Sequence, residues 1–367
     1  MKVPQIDLVR QYSQLKGDID GAISEVLSSG SFVLGRWVGE IEKKVADVCG
    51  VKHGIGVASG TDALDIALTA CGVGAGDEVI TSTFSFVSVA EVAIRLCAKP
   101  VLVDIDPRTF NSEYDAIARA VTPRTKAIVP VHLYGQSVDM DPLIDLGKKT
   151  GVPIIEDMCQ AIGAQYRGKP VGSMGCLSCI SFYPTKNLGC YGDGGMIVTD
   201  DDGLREKVAS LRKHGQGDKY NYKYIGVNSR LDSIQAAILL AKAKHLEKWN
   251  ERRREIAGLY GEMLKGLPVE TPFEAPYNRH IFHQYTVKAE SRDRLQAHLK
   301  AKGIGTAIHY PLGIHRQDAY KSLGFGEGDF PVADEASARV LSLPMFPELE
   351  QAEIEYVAGS IREFYGR

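Results

Sequence analysis

Over about the first 200 residues of this 367-residue chain, short runs of β-branched and other apolar residues alternate with longer segments of helical periodicity. The runs lie at residues 55–59, 78–83, 100–105, 127–133, 153–157, 179–183 and 196–199. Several of them are apolar at consecutive positions, which is typical of strands buried on both faces of a sheet. Strand–helix alternation of this length predicts an α/β domain with a mostly parallel sheet and helices on both sides.

Helical patterns fill the intervals between these runs and continue after them. We predict helices at residues 61–71, 88–96, 114–120, 140–150, 203–213, 292–302 and 334–342. Residues 231–264 are predicted to form one long helix that bridges two domains, and residues 266–278 a proline-containing connection. With a strand at 283–289, the C-terminal part indicates a small α+β unit. The sequence therefore predicts a large domain at 1–248 and a small C-terminal domain at 249–367.

The composition excludes several classes of protein. Lys and Arg total 43 against 46 Asp and Glu, a net charge of -3, so the chain offers no basic field for a nucleic acid. No apolar run approaches the roughly 20 residues that span a bilayer, and polar residues interrupt the N-terminus, unlike a signal peptide. The seven cysteines are scattered, which favours reduced thiols in a cytoplasm. We therefore expect a cytoplasmic protein with no nucleic-acid or membrane partner.

Three segments at the ends of predicted strands contain candidate functional residues. At Ser59-Gly60-Thr61 a strand ends and a helix begins, so free backbone N–H groups can bind a phosphate; the alternative is a simple helix cap. Asp157 follows a buried strand, where it either pairs with a protonated pyridine nitrogen or caps the next helix. Lys186 follows a later strand, where it either forms a Schiff base or is a solvated loop lysine.

The order of these segments constrains the function more than any one of them. A phosphate site, an acid and a lysine follow an early, a middle and a later strand, and open α/β sheets bind ligands beyond the carboxyl ends of their strands. An enzyme that uses pyridoxal 5′-phosphate (PLP) needs these three groups: a phosphate cup, a partner for the pyridinium nitrogen and a Schiff-base lysine. The sequence therefore predicts a PLP-dependent enzyme.

The chain resembles the nucleotide-sugar aminotransferases of the DegT/DnrJ/StrS group over essentially its whole length. The motifs that carry the resemblance are Ile6-Asp7-Leu8, Gly60-Thr61-Asp62-Ala63-Leu64, Glu156-Asp157-x-x-Gln160, Ser181-Phe182 followed by Lys186, Gly192-Asp193-Gly194-Gly195, Asn228-Ser229-Arg230-Leu231-Asp232 and His309-Tyr310-Pro311. The resemblance implies the aspartate aminotransferase-like fold, PLP fold type I, with a mixed, mostly parallel sheet in the large domain. It also implies transfer of an amino group from an amino acid, expected to be glutamate, to a keto sugar carried by a nucleotide, in the synthesis of surface polysaccharides.

The resemblance also implies a role for each matching residue. Lys186 is the Schiff-base lysine and moves the proton, while Asp157 pairs with the pyridinium nitrogen. Gln160 packs beside the ring near its phenolic oxygen, and Phe86 stacks on the other face unless it is a core aromatic. Asn228 reaches the phosphate of the neighbouring subunit's cofactor, which makes the active unit a homodimer with its sites at the interface. The residues expected to bind the phosphate within one subunit are Ser59, Gly60, Thr61 and Ser181.

The substrate is predicted from weaker signals. The segments most similar to enzymes that aminate UDP-2-acetamido-2-deoxy-3-oxoglucuronate are 189–195, 214–216 and 226–232. Arg230 then pairs with the C6 carboxylate of the sugar, unless it forms a structural ion pair with Asp232, and His309 and Tyr310 line the same pocket. Residues 311–315 depart from the expected pattern, so a 3-keto- or 4-keto-6-deoxyhexose linked to dTDP or UDP is the alternative.

Other classes of protein fit the sequence less well. Sugar dehydratases of the same group have a histidine at the position of Lys186, so the lysine favours amino transfer. Cys176 and Cys179 have the spacing of half a zinc site, but structural zinc takes four ligands, and we expect no metal. Residues 59–64 lack the G-x-G-x-x-G pattern of a dehydrogenase. A non-catalytic PLP-binding regulator would need an additional module, for which 367 residues leave no room.

Overall fold

The computed structural model describes residues 1–326 and 328–366. Its strands are β1 (His53–Val57), β2 (Glu78–Ser82), β3 (Lys99–Val103), β4 (Thr125–Val129), β5 (Ile155–Asp157), β6 (Gln165–Tyr166), β7 (Lys169–Pro170), β8 (Leu177–Ser181), β9 (Gly195–Thr199), β10 (Val269–Glu270), β11 (Asn278–Arg279), β12 (Tyr285–Ala289) and β13 (Val340–Leu343). Its α-helices are α1 (Leu8–Ser29), α2 (Arg36–Cys49), α3 (Gly60–Ala70), α4 (Ser88–Arg95), α5 (Tyr114–Ala120), α6 (Met140–Thr150), α7 (Asp202–Leu211), α8 (Ser233–Ala243), α9 (Leu246–Met263), α10 (Arg292–Ala301), α11 (Pro331–Arg339) and α12 (Gln351–Phe364). Within these described ranges, no helix combines the length and the apolar character needed to cross a bilayer.

A mixed sheet forms the centre of the N-terminal part of the chain. Two sets of strands, β3-β2-β4 and β5-β8-β9-β1, are joined by isolated parallel bridges between Ile128 and Ile154 and between Val131 and Asp157. Neighbouring strands pair in parallel except for β9, which runs antiparallel to both β8 and β1. Each strand predicted before residue 200 overlaps one of these strands, and the predicted mixed, mostly parallel sheet is confirmed.

Helices cover both faces of this sheet. All five residues of β9 are buried. Ile197 packs in the same cluster as Leu64 of α3, whereas Met196 and Val198 pack in the cluster that contains Leu239 of α8. Because successive side chains of a strand point to opposite faces, burial on both sides explains the three consecutive apolar residues Met196, Ile197 and Val198.

The C-terminal part of the chain has a core of its own. The antiparallel sheet β10-β12-β13 buries Val287 and Leu341 against Ile256 of α9. Ala333 of α11 packs instead in the core beside the large sheet. One helix of the C-terminal part thus packs in the core of the large sheet. The domain boundary after residue 248 stays a prediction.

The prediction of one helix over residues 231–264 is wrong. The chain forms α8 and α9, which are interrupted at Lys244 and His245. Neither residue breaks a helix by its own propensity. The cause is tertiary, because Leu239 of α8 packs against the large sheet's helices while Ile256 of α9 packs in the C-terminal core. Two shorter helices allow each segment to pack in a different core.

The helix predicted at residues 334–342 also needs correction. It begins earlier, at Pro331, and ends at Arg339, after which Val340–Leu343 form strand β13. Short apolar runs do not by themselves distinguish a strand from a buried helix, and pairing with β12 decides the outcome here. The helices α1, α2 and α12 lie outside the segments for which an element was predicted.

Candidate active site

A cavity of about 530 Å³ lies at the edge of the sheet where β5 and β8 end. Strand carboxyl ends meet at this edge, which is where ligands bind in open α/β sheets. Of the twelve residues selected from the sequence, ten line the cavity: Ser59, Gly60, Thr61, Phe86, Asp157, Gln160, Ser181, Lys186, His309 and Tyr310. The other two, Asn228 and Arg230, do not line it.

The start of α3 forms one wall. Ser59 caps the helix by accepting a hydrogen bond from the Asp62 backbone N–H at 3.0 Å. The N–H groups of Gly60 and Thr61 make no hydrogen bond to any residue in the described ranges, as expected in the first turn of a helix. A Cβ at Gly60 would lie 2.7 Å from the Cβ of Ser181, so only glycine permits this approach. The turn is thus a capped helix start that also leaves two N–H groups available to a ligand, and its binding of a phosphate stays a prediction.

Strand alternation separates two neighbouring carboxylates. Asp157 ends β5 and lines the cavity, with Oδ1 accepting from the Cys159 N–H at 3.1 Å. Glu156 points the other way, fully buried, and its oxygens lie 3.0 Å from His132 Nε2 and 2.7 Å from the Gly175 N–H. Burial alone raises the pKa of Glu156, but His132 and the backbone donors outweigh it and lower the pKa. Asp157 therefore faces the cavity, whereas Glu156 holds the loop of residues 172–175.

Lys186 reaches the cavity from the loop after β8. Its backbone N–H donates to the Tyr183 carbonyl at 2.9 Å, which forms a turn. Burial lowers the pKa of the Lys186 amine, and the negative charges of Cys159 and Asp157 oppose this shift. The net direction favours the neutral amine, the form that acts as a base.

A hydrogen-bonded group closes the cavity opposite α3. Gln160 Oε1 accepts from the Tyr134 backbone N–H at 2.8 Å, and Nε2 donates to the Tyr310 hydroxyl at 3.2 Å. The Tyr134 hydroxyl donates to the His309 carbonyl. His309 Nδ1 lies 2.9 Å from Ser342 Oγ, and burial, with the Lys186 charge second, lowers the pKa of His309 to about 4. Residues 309–310 are thus joined to the loops that follow β4 and β5.

Phe86 lies at the margin of the cavity with 57% of its surface exposed. That exposure rules out the interpretation of Phe86 as a core aromatic. Its ring is available to a planar ligand, and its stacking role stays a prediction.

Asn228 and Arg230 belong to one extended segment that leaves the site. Ser229 and Leu231 are buried, and the Ser229 hydroxyl donates to Asp62 at 2.6 Å. Asn228 and Arg230, which alternate with these two buried residues, are at least partly exposed. Arg230 forms no ion pair with Asp232 or with any other acid among residues 1–326 and 328–366. The alternative of a structural ion pair is therefore not found.

Sequence reasoning missed several residues of the cavity wall. His283, Gln284 and Tyr183 line it, although none was selected. His283 was placed only at the start of a predicted strand, about 100 residues after Lys186 in the chain. A histidine beside a strand carries no local signal of function, and the fold alone brings it to the cavity.

The fold and this cavity define the class of the protein as a PLP-dependent aminotransferase of fold type I. The chain belongs to the DegT/DnrJ/EryC1/StrS aminotransferase family, whose model matches residues 13–362. Aminotransferases of this family are PLP-dependent and act on nucleotide-linked sugars.

Relatives of known name cover nearly the whole chain. The pleiotropic regulatory protein of Geobacillus stearothermophilus is 50% identical over 100% of this chain and 99% of its own. The UDP-N-acetyl-3-dehydro-alpha-D-glucosamine 3-aminotransferase of Acidithiobacillus ferrooxidans is 46% identical, covering 98% and 97%. The UDP-2-acetamido-2-deoxy-3-oxo-D-glucuronate aminotransferase of Pseudomonas aeruginosa is 45% identical, covering 97% and 98%. The solved structure of DesV from S. venezuelae, 41% identical, superposes with a TM-score of 0.97 and covers 100% of this chain and 99% of its own.

Proposed function

We propose that this protein transfers the amino group of glutamate to C3 of UDP-2-acetamido-2-deoxy-3-oxoglucuronate, in the synthesis of a surface polysaccharide. One observation supports amino transfer above all others: Lys186, Asp157 and the open start of α3 face a single cavity. An assay of amino transfer from glutamate to a panel of nucleotide-linked keto sugars tests the proposal.

The residues at the cavity fit PLP. The unpartnered N–H groups of Gly60 and Thr61 suit a phosphate, because a helix N-terminus favours an anion. The missing Cβ at Gly60 leaves room for that approach beside Ser181. Asp157 is positioned for the ring nitrogen, and Lys186 Nζ for the covalent bond. When bound, PLP supplies an electron sink and carries the amino group between the two substrates.

Lys186 moves the proton in both halves of the proposed reaction. Its Nζ takes the proton from the α-carbon of the amino-acid donor, and in the second half it returns a proton to the carbon of the sugar. Nζ must be neutral to accept a proton, and burial favours that state by lowering the pKa of Lys186. When PLP is bound, Asp157 would keep its ring nitrogen protonated. The Gln160–Tyr310 hydrogen bond fixes two side chains of the cavity wall.

The choice of sugar is supported by two relatives and one side chain. The names of the Acidithiobacillus and Pseudomonas proteins both denote UDP sugars with an N-acetyl group at C2 and an oxo group at C3. The two sugars differ at C6, which is a carboxylate only in the uronate. Arg230 forms no ion pair with a described acid, so its guanidinium is available for a carboxylate, which it matches bidentately. This favours the uronate.

Replacing Arg230 by alanine is expected to lower kcat/KM for the uronate by roughly 10- to 100-fold, the effect of losing a hydrogen-bonded charge pair. The same substitution should leave kcat/KM unchanged for the matched sugar with a hydroxymethyl group at C6. Steady-state kinetics on both sugars provide the comparison. Arg230→Lys is the variant that keeps the positive charge but cannot bind a carboxylate through two parallel hydrogen bonds. Equal losses on both sugars would remove the reason for choosing the uronate. A parent enzyme that prefers a 3-keto- or 4-keto-6-deoxyhexose would favour that alternative.

We further propose that the enzyme acts as a homodimer in which each subunit completes the other's site. Asn228 and Arg230 do not line the cavity of their own subunit. The segment before them exposes apolar surface, with Ile225 97% exposed and Tyr220 79% exposed. Exposed apolar side chains grouped in this way are typical of a protein interface, and a second subunit supplies the surface to cover them.

Mixing two inactive variants tests this arrangement. Asn228→Asp places a negative charge where the partner's phosphate is expected and should weaken PLP binding, while Lys186→Ala removes the amine. A mixed dimer has one site that combines the intact Lys186 with the partner's intact Asn228, so activity should return on subunit exchange. Sedimentation should give a dimer for both variants. No recovery after confirmed exchange would place Asn228 outside the partner's site.

The name of the Geobacillus relative raises regulation as a second function. A neutral Lys186 amine allows a Schiff base with PLP in a regulator as well as in an enzyme, so turnover has to decide between the two. Turnover of any keto sugar by the parent protein, abolished by Lys186→Ala, separates an enzyme from a regulator.

A further inference from the structure

A directed chain of hydrogen bonds ends at the cavity wall. Asn250 Nδ2 donates to the Ile162 carbonyl at 3.1 Å, and Asn187 Nδ2 donates to Asn250 Oδ1 at 2.7 Å. Asn187 Oδ1 in turn lies 3.1 Å from Nδ1 of His283. All three side chains are buried, with 2%, 5% and 4% of the surface of Asn250, Asn187 and His283 exposed.

Two backbone carbonyls fix the direction of the chain. A carbonyl oxygen only accepts, so the Ile162 oxygen requires Nδ2 of Asn250 on its side. The Ile281 oxygen lies 3.4 Å from Asn187 Nδ2, so the side-chain nitrogen of Asn187 must likewise be on this side as the donor. Asn187 therefore presents its oxygen to His283, and the imidazole must carry its proton on Nδ1.

The opposite nitrogen of His283 is then a bare acceptor. Burial, and next the neighbouring Lys186 and Arg253 side chains, hold the pKa of His283 well below its ordinary value. The ring is neutral, and with the proton on Nδ1 its Nε2 has a free lone pair. Nε2 makes no hydrogen bond within the parts of the chain that the structure describes.

We propose that His283 is a positioning residue for Lys186, because its unpaired Nε2 can accept a hydrogen bond from the amine when Nζ turns toward it. Both side chains line the same cavity. Asn187, which fixes the tautomer, directly follows Lys186 in the chain, so the amine and its acceptor are held by adjacent residues. The contact restrains one N–H of the amine and leaves its lone pair for substrate. This inference rests on the role of Lys186 proposed above.

His309, another imidazole of the cavity wall, has no such constraint. Its Nδ1 faces the Ser342 hydroxyl, which either donates or accepts. Ser342 also lies 2.8 Å from the Thr286 hydroxyl, whose direction is equally free. The fixed tautomer is therefore a property of the chain that includes Asn187 and Asn250, and it distinguishes His283.

Two substitutions of His283 test the two nitrogens of its imidazole separately. The amide oxygen of glutamine takes the place of Nε2, so His283→Gln keeps an acceptor for Lys186. The amide of asparagine takes the place of Nδ1, so His283→Asn keeps the bond to Asn187 and loses the acceptor. Bound PLP gives an absorbance band in the visible range, which the amino-acid donor bleaches. In the PLP-loaded protein, this bleaching should be roughly 10- to 100-fold slower in His283→Asn than in His283→Gln. Equal rates in the two variants would overturn the proposal.

Nitrogen-15 NMR of the imidazoles tests the tautomer without any turnover. The His283 signals are assigned by their loss in His283→Gln, with and without PLP. We expect a protonated Nδ1 and an unprotonated Nε2 in both forms, and a proton on Nε2 would overturn the proposal. The donor reaction uses no sugar, so a wrong keto sugar leaves this result intact. A parent protein that fails to react with any amino donor refutes the proposed function, whereas the NMR signal still decides the state of His283.

Discussion

Replacing Lys186 by alanine is expected to abolish amino transfer, with a loss of roughly 10²–10⁴-fold or more from the missing proton carrier alone. The visible band that PLP gives in the parent protein should also disappear, because no other lysine lines the cavity among the residues described. Absorbance spectra after reconstitution, followed by addition of glutamate, measure both effects. The fold should survive, since the Lys186 side chain faces the cavity and its backbone N–H, bonded to Tyr183, is unaffected.

Lys242 is the matched control for this experiment. It is 1% exposed, and burial lowers its pKa to about 8, so it is a buried lysine with a shifted pKa like Lys186. Its Nζ, however, donates to the Gly189 carbonyl, and it does not line the cavity. Lys242→Met should keep the visible band while losing stability. A band that survives in Lys186→Ala, or vanishes only in Lys242→Met, would contradict the assignment.

The central sheet was predictable because strands buried on both faces have apolar residues at consecutive positions, as in Met196–Ile197–Val198. The cavity was predictable for a related reason. Ser59, Asp157 and Ser181 end or directly follow buried strands, and carboxyl ends of such strands share one edge of a sheet. Local sequence thus identified the residues whose position depends on a strand.

Residues whose position depends on tertiary packing were not predictable. His283 lies next to Asn187 only because the C-terminal part folds back on the large sheet. The helix break at Lys244 arises because α8 packs in the core beside the large sheet, whereas Ile256 of α9 packs in the C-terminal core. No glycine or proline in the sequence marks this break. The sequence also does not tell which subunit's cavity receives Asn228 and Arg230, because that depends on a second chain.

Replacing Asp157 by asparagine is expected to lower amino transfer by roughly 10²–10³-fold, the scale of losing a fixed electrostatic partner at the reacting group. Asparagine has the same shape and still accepts the Cys159 N–H, now 3.1 Å from Oδ1. What it lacks is the negative charge that keeps a ring nitrogen protonated. The loss should therefore appear in kcat for the donor half-reaction, with PLP still bound, in stopped-flow spectra.

Glu156→Gln is the control one residue away, and the comparison separates charge at the cavity from charge in the core. Glu156 is fully buried and accepts from the N–H groups of Gly172, Met174 and Gly175. Removing its charge should lower the free energy of unfolding by about 1–3 kcal/mol, because those donors lose a charged acceptor. The rate per folded molecule should stay close to that of the parent, since the side chain points away from the cavity. If Asp157→Asn instead loses only stability and keeps its rate, the carboxylate at the end of β5 is structural and the ring nitrogen has another partner.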